Sequence, residues 1–177
     1  DRFVKQQHVD RQAWEKAGDL GLLLADVPEE YGGGGGTFAH IAAVMEELAY
    51  AGDYGFGLSV HSISSNYILH KGTEEQRRKY LPQMASGRMI GAIAMTEPDA
   101  GSDLQAIRTS ARRDGDHYVI RGSKIFISNG FLADLIVLAV KTDPGAGGKG
   151  MSLLLVETRG LRGFKVGRIL DKLGQKS

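Results

Sequence analysis

The sequence predicts an α+β chain, a helical N-terminal half followed by a small antiparallel β-barrel or sandwich. Two observations carry this. Up to about Gly91 the apolar residues recur at helical spacing, and from there on they alternate or run in short aliphatic stretches. Seven such stretches, separated by tight-turn signals, have the pattern of a small closed or two-layered β fold. The division is expected at residue 90, giving a helical domain over 1–90 and a β domain over 91–177.

Asp10 to Leu24 carries Ala13, Trp14, Ala17, Leu20 and Leu24 on one helical face, with Gly18 and Gly21 as interruptions near its end and Trp14 in the core. The glycine run Gly32 to Gly36 cannot hold regular structure cheaply, because glycine loses the most backbone freedom on ordering; it reads as a flexible connector. Thr37 starts an amphipathic helix with Phe38, Ile41, Val44, Met45 and Leu48 on its apolar stripe, ended by Gly52. Gly55 to His70 is a looser helix, stopped by Gly72. Its small residues Gly57, Ser59, Ser62, Ser64 and Ser65 admit two readings, close helix packing or room for a ligand's alkyl chain. His61 and His70 lack a third ligand at metal-binding spacing and read as surface or partner-bound histidines. Thr73 to Gln76 has the form of a capping box, in which Thr73 accepts from first-turn N–H groups and Gln76 reaches back. The helix it starts is expected to kink or restart at Pro82 and close at Gly87. Arg77 to Lys79 is a solvated face, or a set of phosphate contacts.

In the second half, Ile90 to Met95 reads as a buried strand. Thr109 to Arg113 and His117 to Arg121 form a hairpin across Asp114-Gly115. Lys124 to Ser128, Leu135 to Val140, Met151 to Val156 and Phe164 to Ile169 are further strands, with Asn129-Gly130 a turn, Pro144 to Gly148 a loop, and Leu170 to Gly174 the stretch after the last strand.

The stretch from Met95 to Asp103 stands out chemically. Pro98 fixes one backbone angle, Gly101 lets a ligand approach the backbone closely, and Ser102 adds a hydroxyl beside exposed N–H groups, so the loop could receive phosphate. A turn capped by Ser102 or Asp103 would look the same. Glu97 and Asp99 project from this loop without facing one another across a cleft and are not read as a general acid and base.

Composition narrows the classes. With 22 basic and 21 acidic residues the formal charge is +1, which leaves no global field for nucleic acid or anionic lipid. The absence of cysteine excludes disulfides, thiolate metal sites and a cysteine nucleophile. No apolar run approaches the ~20 residues needed to span a bilayer. No signal peptide is visible at Asp1, Arg2 and Phe3, and the expectation is a soluble intracellular protein.

Two ordered motifs then carry a family resemblance. Ala94-Met-Thr-Glu-Pro-Asp-Ala-Gly-Ser-Asp103 resembles the flavin-contacting signature of the acyl-CoA dehydrogenases, and Lys124-Ile-Phe-Ile-Ser-Asn-Gly130 resembles their second flavin motif. Gly91 to Pro98 and Phe126 to Gly130 are most similar to the long-chain type. The resemblance implies FAD as cofactor, contacted by Ile93, Ala94, Met95, Thr96, Gly101, Ser102, Phe126, Ile127 and Ser128. Thr96 would meet the pyrimidine end, Gly101 and Ser102 the pyrophosphate, Phe126 the ring face, and Ser128 would donate towards N5; Ser102 would also touch the acyl-CoA. The implied reaction removes a proton beside the thioester and a hydride from the next carbon, giving a trans-2-enoyl-CoA in the manner of fatty-acid β-oxidation. Phe126 replaces the tryptophan of many members, Ser128 their threonine, and Asp99 a frequent glycine.

The resemblance further implies an acyl-CoA substrate, electron-transfer flavoprotein as acceptor, and a dimer or tetramer. The compartment would be the cytoplasm in a bacterium or the mitochondrial matrix in a eukaryote. It covers the N-terminal helical and middle β domains, whereas the family's C-terminal four-helix domain, which holds the glutamate base, has no counterpart in these 177 residues. No residue is therefore named as catalytic and no metal is expected, and the chain reads as a piece that binds FAD poorly and does not turn over substrate. A related flavin oxidase or a non-catalytic scaffold are the alternatives.

Overall fold

The structure, a computed structural model, describes residues 2–53 and 55–172. Five α-helices, α1 (Arg2–Gln6), α2 (Arg11–Asp19), α3 (Phe38–Tyr50), α4 (Leu58–Lys71) and α5 (Glu74–Ala85), precede five strands, β1 (Gly91–Ala94), β2 (Ser110–Asp114), β3 (His117–Arg121), β4 (Leu135–Lys141) and β5 (Met151–Glu157). Helical half and sheet half thus follow one another as the periodicity predicts. Among the described residues no helix is long and apolar enough to cross a membrane.

Asp10 caps α2, its carboxylate accepting from the Ala13 N–H at 3.0 Å. Trp14 and Ala17 then turn inward, Trp14 tilting against Phe56 and His61 with ring centroids 4.4 and 5.0 Å away. Gly18 lies within the helix, where a Cβ would overlap the Ser86 backbone at the end of α5. α3 is shorter of core than its stripe suggests. Only Ile41 is fully buried, and Phe38 is 74% exposed. Phe38 is the first residue of the helix, and helical side chains lean towards the N-terminus, so it leans past the end with no turn to cover.

The glycine run is not a flexible connector. Each of its five N–H groups is bonded: Gly32 to Glu29, Gly33 to Pro28, Gly34 to Leu24, Gly35 to Val27 and Gly36 to Ala25 carbonyls, at 2.8 to 3.2 Å. The run folds back on residues 24–29 as a strap, and at Gly33 a Cβ would overlap the Val27 carbonyl.

In α4 the serines settle into close packing. Ser62, Ser64 and Ser65 are buried, with Ser64 and Ser65 hydroxyls donating to the His61 and Ser62 carbonyls at 2.8 and 2.7 Å. α5 opens on the expected capping box and runs through Pro82 unbroken, forgoing one N–H. Its basic run is paired: Arg78 and Arg77 reach Glu74 at 2.7 and 3.5 Å, and Lys79 reaches Glu157.

The sheet is mixed. β1 runs parallel to β4, β5 antiparallel to β4, and β2 forms a hairpin with β3 while touching β4 through Ser110 and Lys141. Five of the seven expected strands are present. Phe164 to Ile169 has no ladder and stays largely exposed, and Leu173 and Gly174 lie outside the described residues. One core joins α2, α4 and α5 to Ile90 and Leu135, and a smaller one of Ala92, Ala94, Ala133 and Ile136 lies within the sheet half.

A buried carboxylate ties the halves together. Asp134 accepts a bidentate pair from Arg11 of α2 at 2.8 Å and 2.8 Å, Arg159 Nε at 2.6 Å, and the Ile90 N–H at 2.9 Å. Burial opposes its ionisation, but the guanidinium and N–H donors outweigh it and hold its pKa below the usual value.

Candidate functional site

β1 delivers the chain into a turn closed by two reciprocal bonds, Glu97 N–H to the Ala100 carbonyl at 2.8 Å and Ala100 N–H to the Glu97 carbonyl at 3.2 Å. The Glu97 carboxylate is folded inward beneath it. Lys124 Nζ donates to it at 2.8 Å, the Arg108 N–H at 2.7 Å and the Thr109 N–H at 3.0 Å. Burial would raise its pKa, yet these donors overcome that and lower it to about 2. An ionised carboxylate with three donors already on it is structural, which agrees with excluding Glu97 as a general base. Asp99 is exposed and paired with Arg108 at 3.2 Å.

Beyond the turn, Asp103 caps a one-turn helix by accepting from Gln105 N–H at 3.0 Å. Gly101 and Ser102 are left exposed, with open space where a Gly101 Cβ would stand. Among the described residues their backbone N–H groups, and the hydroxyls of Thr96, Ser102 and Ser128, make no hydrogen bond.

The second motif lies against the first. Ile125 N–H donates to the Thr96 carbonyl at 3.0 Å, and Lys124 Nζ donates to the Met95 carbonyl at 2.8 Å. At the other end Asn129 Nδ2 donates to the Gly91 carbonyl at 3.1 Å and the Gly57 carbonyl at 2.9 Å. Pairing Thr96 with Ile125 and Gly91 with Asn129 means that residues 124–129 run antiparallel along β1. They do not form the expected strand, because Phe126 and Asn129 stand in left-handed backbone, φ 57° and 62°, which breaks the pleat. The same twist turns Phe126 outward, 68% exposed.

The residues expected at the site therefore divide. Thr96 is bonded to Ile125, the residue before Phe126, and Ser128 precedes Asn129, which is bonded to Gly91, while Gly101 and Ser102 lie on the exposed loop after the turn. Ala94 is buried, and Ile127 packs on the Ala92 and Ala94 cluster, so their side chains serve the core; Met95 packs beside Ala100 and Ile107.

Residues that sequence reasoning passed over hold this arrangement. The sequence alone marks Lys124 as the start of a strand and Asn129 as part of a turn, both within the second motif, with no holding role for either. His61 is fully buried, not a surface residue: its Nε2 donates to the Met84 carbonyl at 3.1 Å and its Nδ1 accepts the Gly91 N–H at 3.0 Å. Burial lowers its pKa to about 4 despite the Met84 bond. Its signal was its place beside Ser62, Ser64 and Ser65 on a face too small-sided to be solvent-facing.

The chain matches the acyl-CoA dehydrogenase N-terminal domain over residues 1–88 and the acyl-CoA dehydrogenase middle domain over residues 92–177. It is 48% identical over 178 aligned positions to the mitochondrial long-chain specific acyl-CoA dehydrogenase of Mus musculus, covering 99% of this chain and 41% of that protein. Among solved structures it resembles an acyl-CoA dehydrogenase from Geobacillus kaustophilus, with TM-score 0.92 and 46% identity over 98% of this chain and 46% of that one. It also resembles a glutaryl-CoA dehydrogenase from Mycobacterium smegmatis solved in complex with FADH2, with TM-score 0.85 and 34% identity over 98% of this chain and 44% of that one. The chain thus spans under half the length of the relatives it matches. On sequence, fold and the pairing of its two motifs, it belongs to the acyl-CoA dehydrogenase family.

Proposed function

We propose that the paired segments 91–103 and 124–130 receive an FAD, and that the protein takes part in the α,β-dehydrogenation of an acyl-CoA thioester to the trans-2-enoyl-CoA. The observation that supports this reading is the antiparallel lie of the second motif along the first, given by the bonds from Ile125 N–H to the Thr96 carbonyl and from Asn129 Nδ2 to the Gly91 carbonyl. The residues fit such a group. Phe126 is exposed two residues before Ser128, whose hydroxyl is unused, and the loop after the β1 turn carries two unused N–H groups at Gly101 and Ser102. Phe126 would cover the ring face, Thr96 and Ser128 would donate to its polar edge, and the Gly101 and Ser102 N–H groups would meet the pyrophosphate, with Ser102 touching the acyl-CoA. Ile93, Ala94, Met95 and Ile127 would contribute backbone and apolar contact. When bound, the flavin supplies the acceptor for the hydride.

No side chain of these 177 residues is assigned as the base. That proton acceptor belongs, in this reading, to the C-terminal helical domain of the family, and these residues alone bind FAD poorly and leave acyl-CoA unreacted. The domain boundary falls at residues 90 and 91. Electron-transfer flavoprotein is the acceptor, the protein is a dimer or tetramer, and it works in the bacterial cytoplasm or the mitochondrial matrix. Titrating the complete protein with FAD, then assaying acyl-CoA oxidation with a dye acceptor, tests the reading. A flavin spectrum with turnover is expected; a colourless protein would refute it. Rapid reoxidation of the reduced flavin by oxygen would instead make it an oxidase.

A further inference from the structure

The start of β1 is held by two buried side chains, His61 and Asn129. Gly91 N–H donates to His61 Nδ1, which requires a neutral imidazole with its proton on Nε2, and that proton goes to the Met84 carbonyl. The Gly91 carbonyl takes one hydrogen of the Asn129 amide, and the Gly57 carbonyl at the start of α4 takes the other. Both acceptors are carbonyls, so the orientation of that amide is fixed by chemistry. The bonds form a closed circuit from α5 through His61, Gly91 and Asn129 to the first turn of α4, which carries His61.

Space is committed as well as polarity. A Cβ on Gly57 would overlap Asn129 Oδ1, and a Cβ on Gly91 would overlap Ser64 Oγ. Asn129 is 4% exposed and stands at φ 62°, while Phe126 three residues earlier stands at φ 57°. A phenylalanine keeps left-handed backbone only where its surroundings over-determine it. Here the segment is pinned on either side of Phe126, by Thr96 at Ile125 and by Asn129.

We propose that Asn129 is a positioning residue: by pinning its turn to Gly57 and Gly91 it sets where Phe126 and Ser128 stand relative to Thr96. This rests on the flavin reading above, since the ring is what those three residues would place. Asn129 touches no ligand in this scheme and acts through the backbone it holds.

The experiment compares Asn129→Gly, which keeps left-handed backbone accessible but removes the amide, with Gly57→Ala, which displaces the amide without deleting a polar group. Ile41→Ala on α3, which makes none of these bonds, is the control for general destabilisation. In the FAD-loaded complete protein both clamp variants are expected to shift the flavin absorption spectrum and to weaken FAD binding about tenfold, the effect of one to two buried hydrogen bonds. In the flavin-free protein, amide exchange over residues 124–130 is expected to quicken about tenfold as well. Ile41→Ala should lower the melting temperature and change neither. A wild-type flavin spectrum and affinity in Asn129→Gly, or the same shift in Ile41→Ala, overturns the proposal. If Asn129→Gly does not fold, Gly57→Ala decides by the same readouts. If the wild-type protein takes up no FAD, the flavin reading falls, and exchange alone decides: unchanged protection over 124–130 in the clamp variants sinks the positioning role too.

Discussion

Replacing Lys124 by methionine tests whether the turn after β1 is held by buried charge. Lys124 and Glu97 side chains are 9% and 6% exposed, so the pair is screened far less than a surface one. Holding the Glu97 pKa at about 2 instead of 4.5 corresponds to roughly 3 kcal/mol of stability at neutral pH, shared among Lys124 and the Arg108 and Thr109 N–H groups. Removing Lys124 forfeits its share and strands a carboxylate in the interior, so a loss of about 2–3 kcal/mol is expected, or ~5–10 °C in melting temperature for a chain this long. The pH dependence identifies the cause. Because the folded pKa is depressed, the stabilisation is complete above about pH 5 and disappears as pH falls through about 2. The gap between wild type and Lys124→Met should therefore be widest at pH 7 and shrink steadily below pH 4. Urea unfolding at pH 7, 5 and 3.5 measures it. A gap that stays constant with pH would mean that lost packing of the lysine stem, not the ion pair, is the cause.

Four further outcomes follow from the structure. His61 is neutral and buried with its pKa lowered to about 4 from 6.5, so it costs stability as pH falls between those values, by up to roughly 3 kcal/mol; His61→Gln should flatten that limb in acid unfolding curves. Asp134→Asn should cost about 1–2 kcal/mol by denaturant midpoint, because the charge-assisted bonds are weakened while Arg11 and Arg159, 40% and 68% exposed, are hydrated instead. Gly91→Ala should destabilise by about 1–3 kcal/mol through overlap with Ser64 Oγ, and Ser64→Ala should restore part of it in the double variant. Ser128→Ala should weaken FAD about fivefold, one neutral hydrogen bond, with no change in melting temperature of the flavin-free protein.

Much of this molecule was legible from periodicity and punctuation. The Thr73 capping box, the Asp114-Gly115 turn and the aliphatic runs of β1, β4 and β5 each act within a few residues, which is why a linear reading finds them. What it missed depends on distant partners. The parallel pairing of β1 and β4 joins residues over forty positions apart, and no local pattern announces it. Lys124 to Ser128 has strand composition, yet two left-handed residues fixed by tertiary bonds override it. The two motifs were legible as stretches, while the holding roles of His61, Lys124 and Asn129 follow only from what those side chains touch.

The glycine strap has a practical consequence for anyone who would cut, tag or circularly permute this protein. A run of five glycines invites the choice of insertion point, but every amide in it is tied to a carbonyl of residues 24–29, so an insert there would unfasten the loop over the helical core. The tip of the β2–β3 hairpin is the better place: Asp114, Gly115 and Asp116 are exposed, and nothing stands within 4 Å of where a Gly115 Cβ would be.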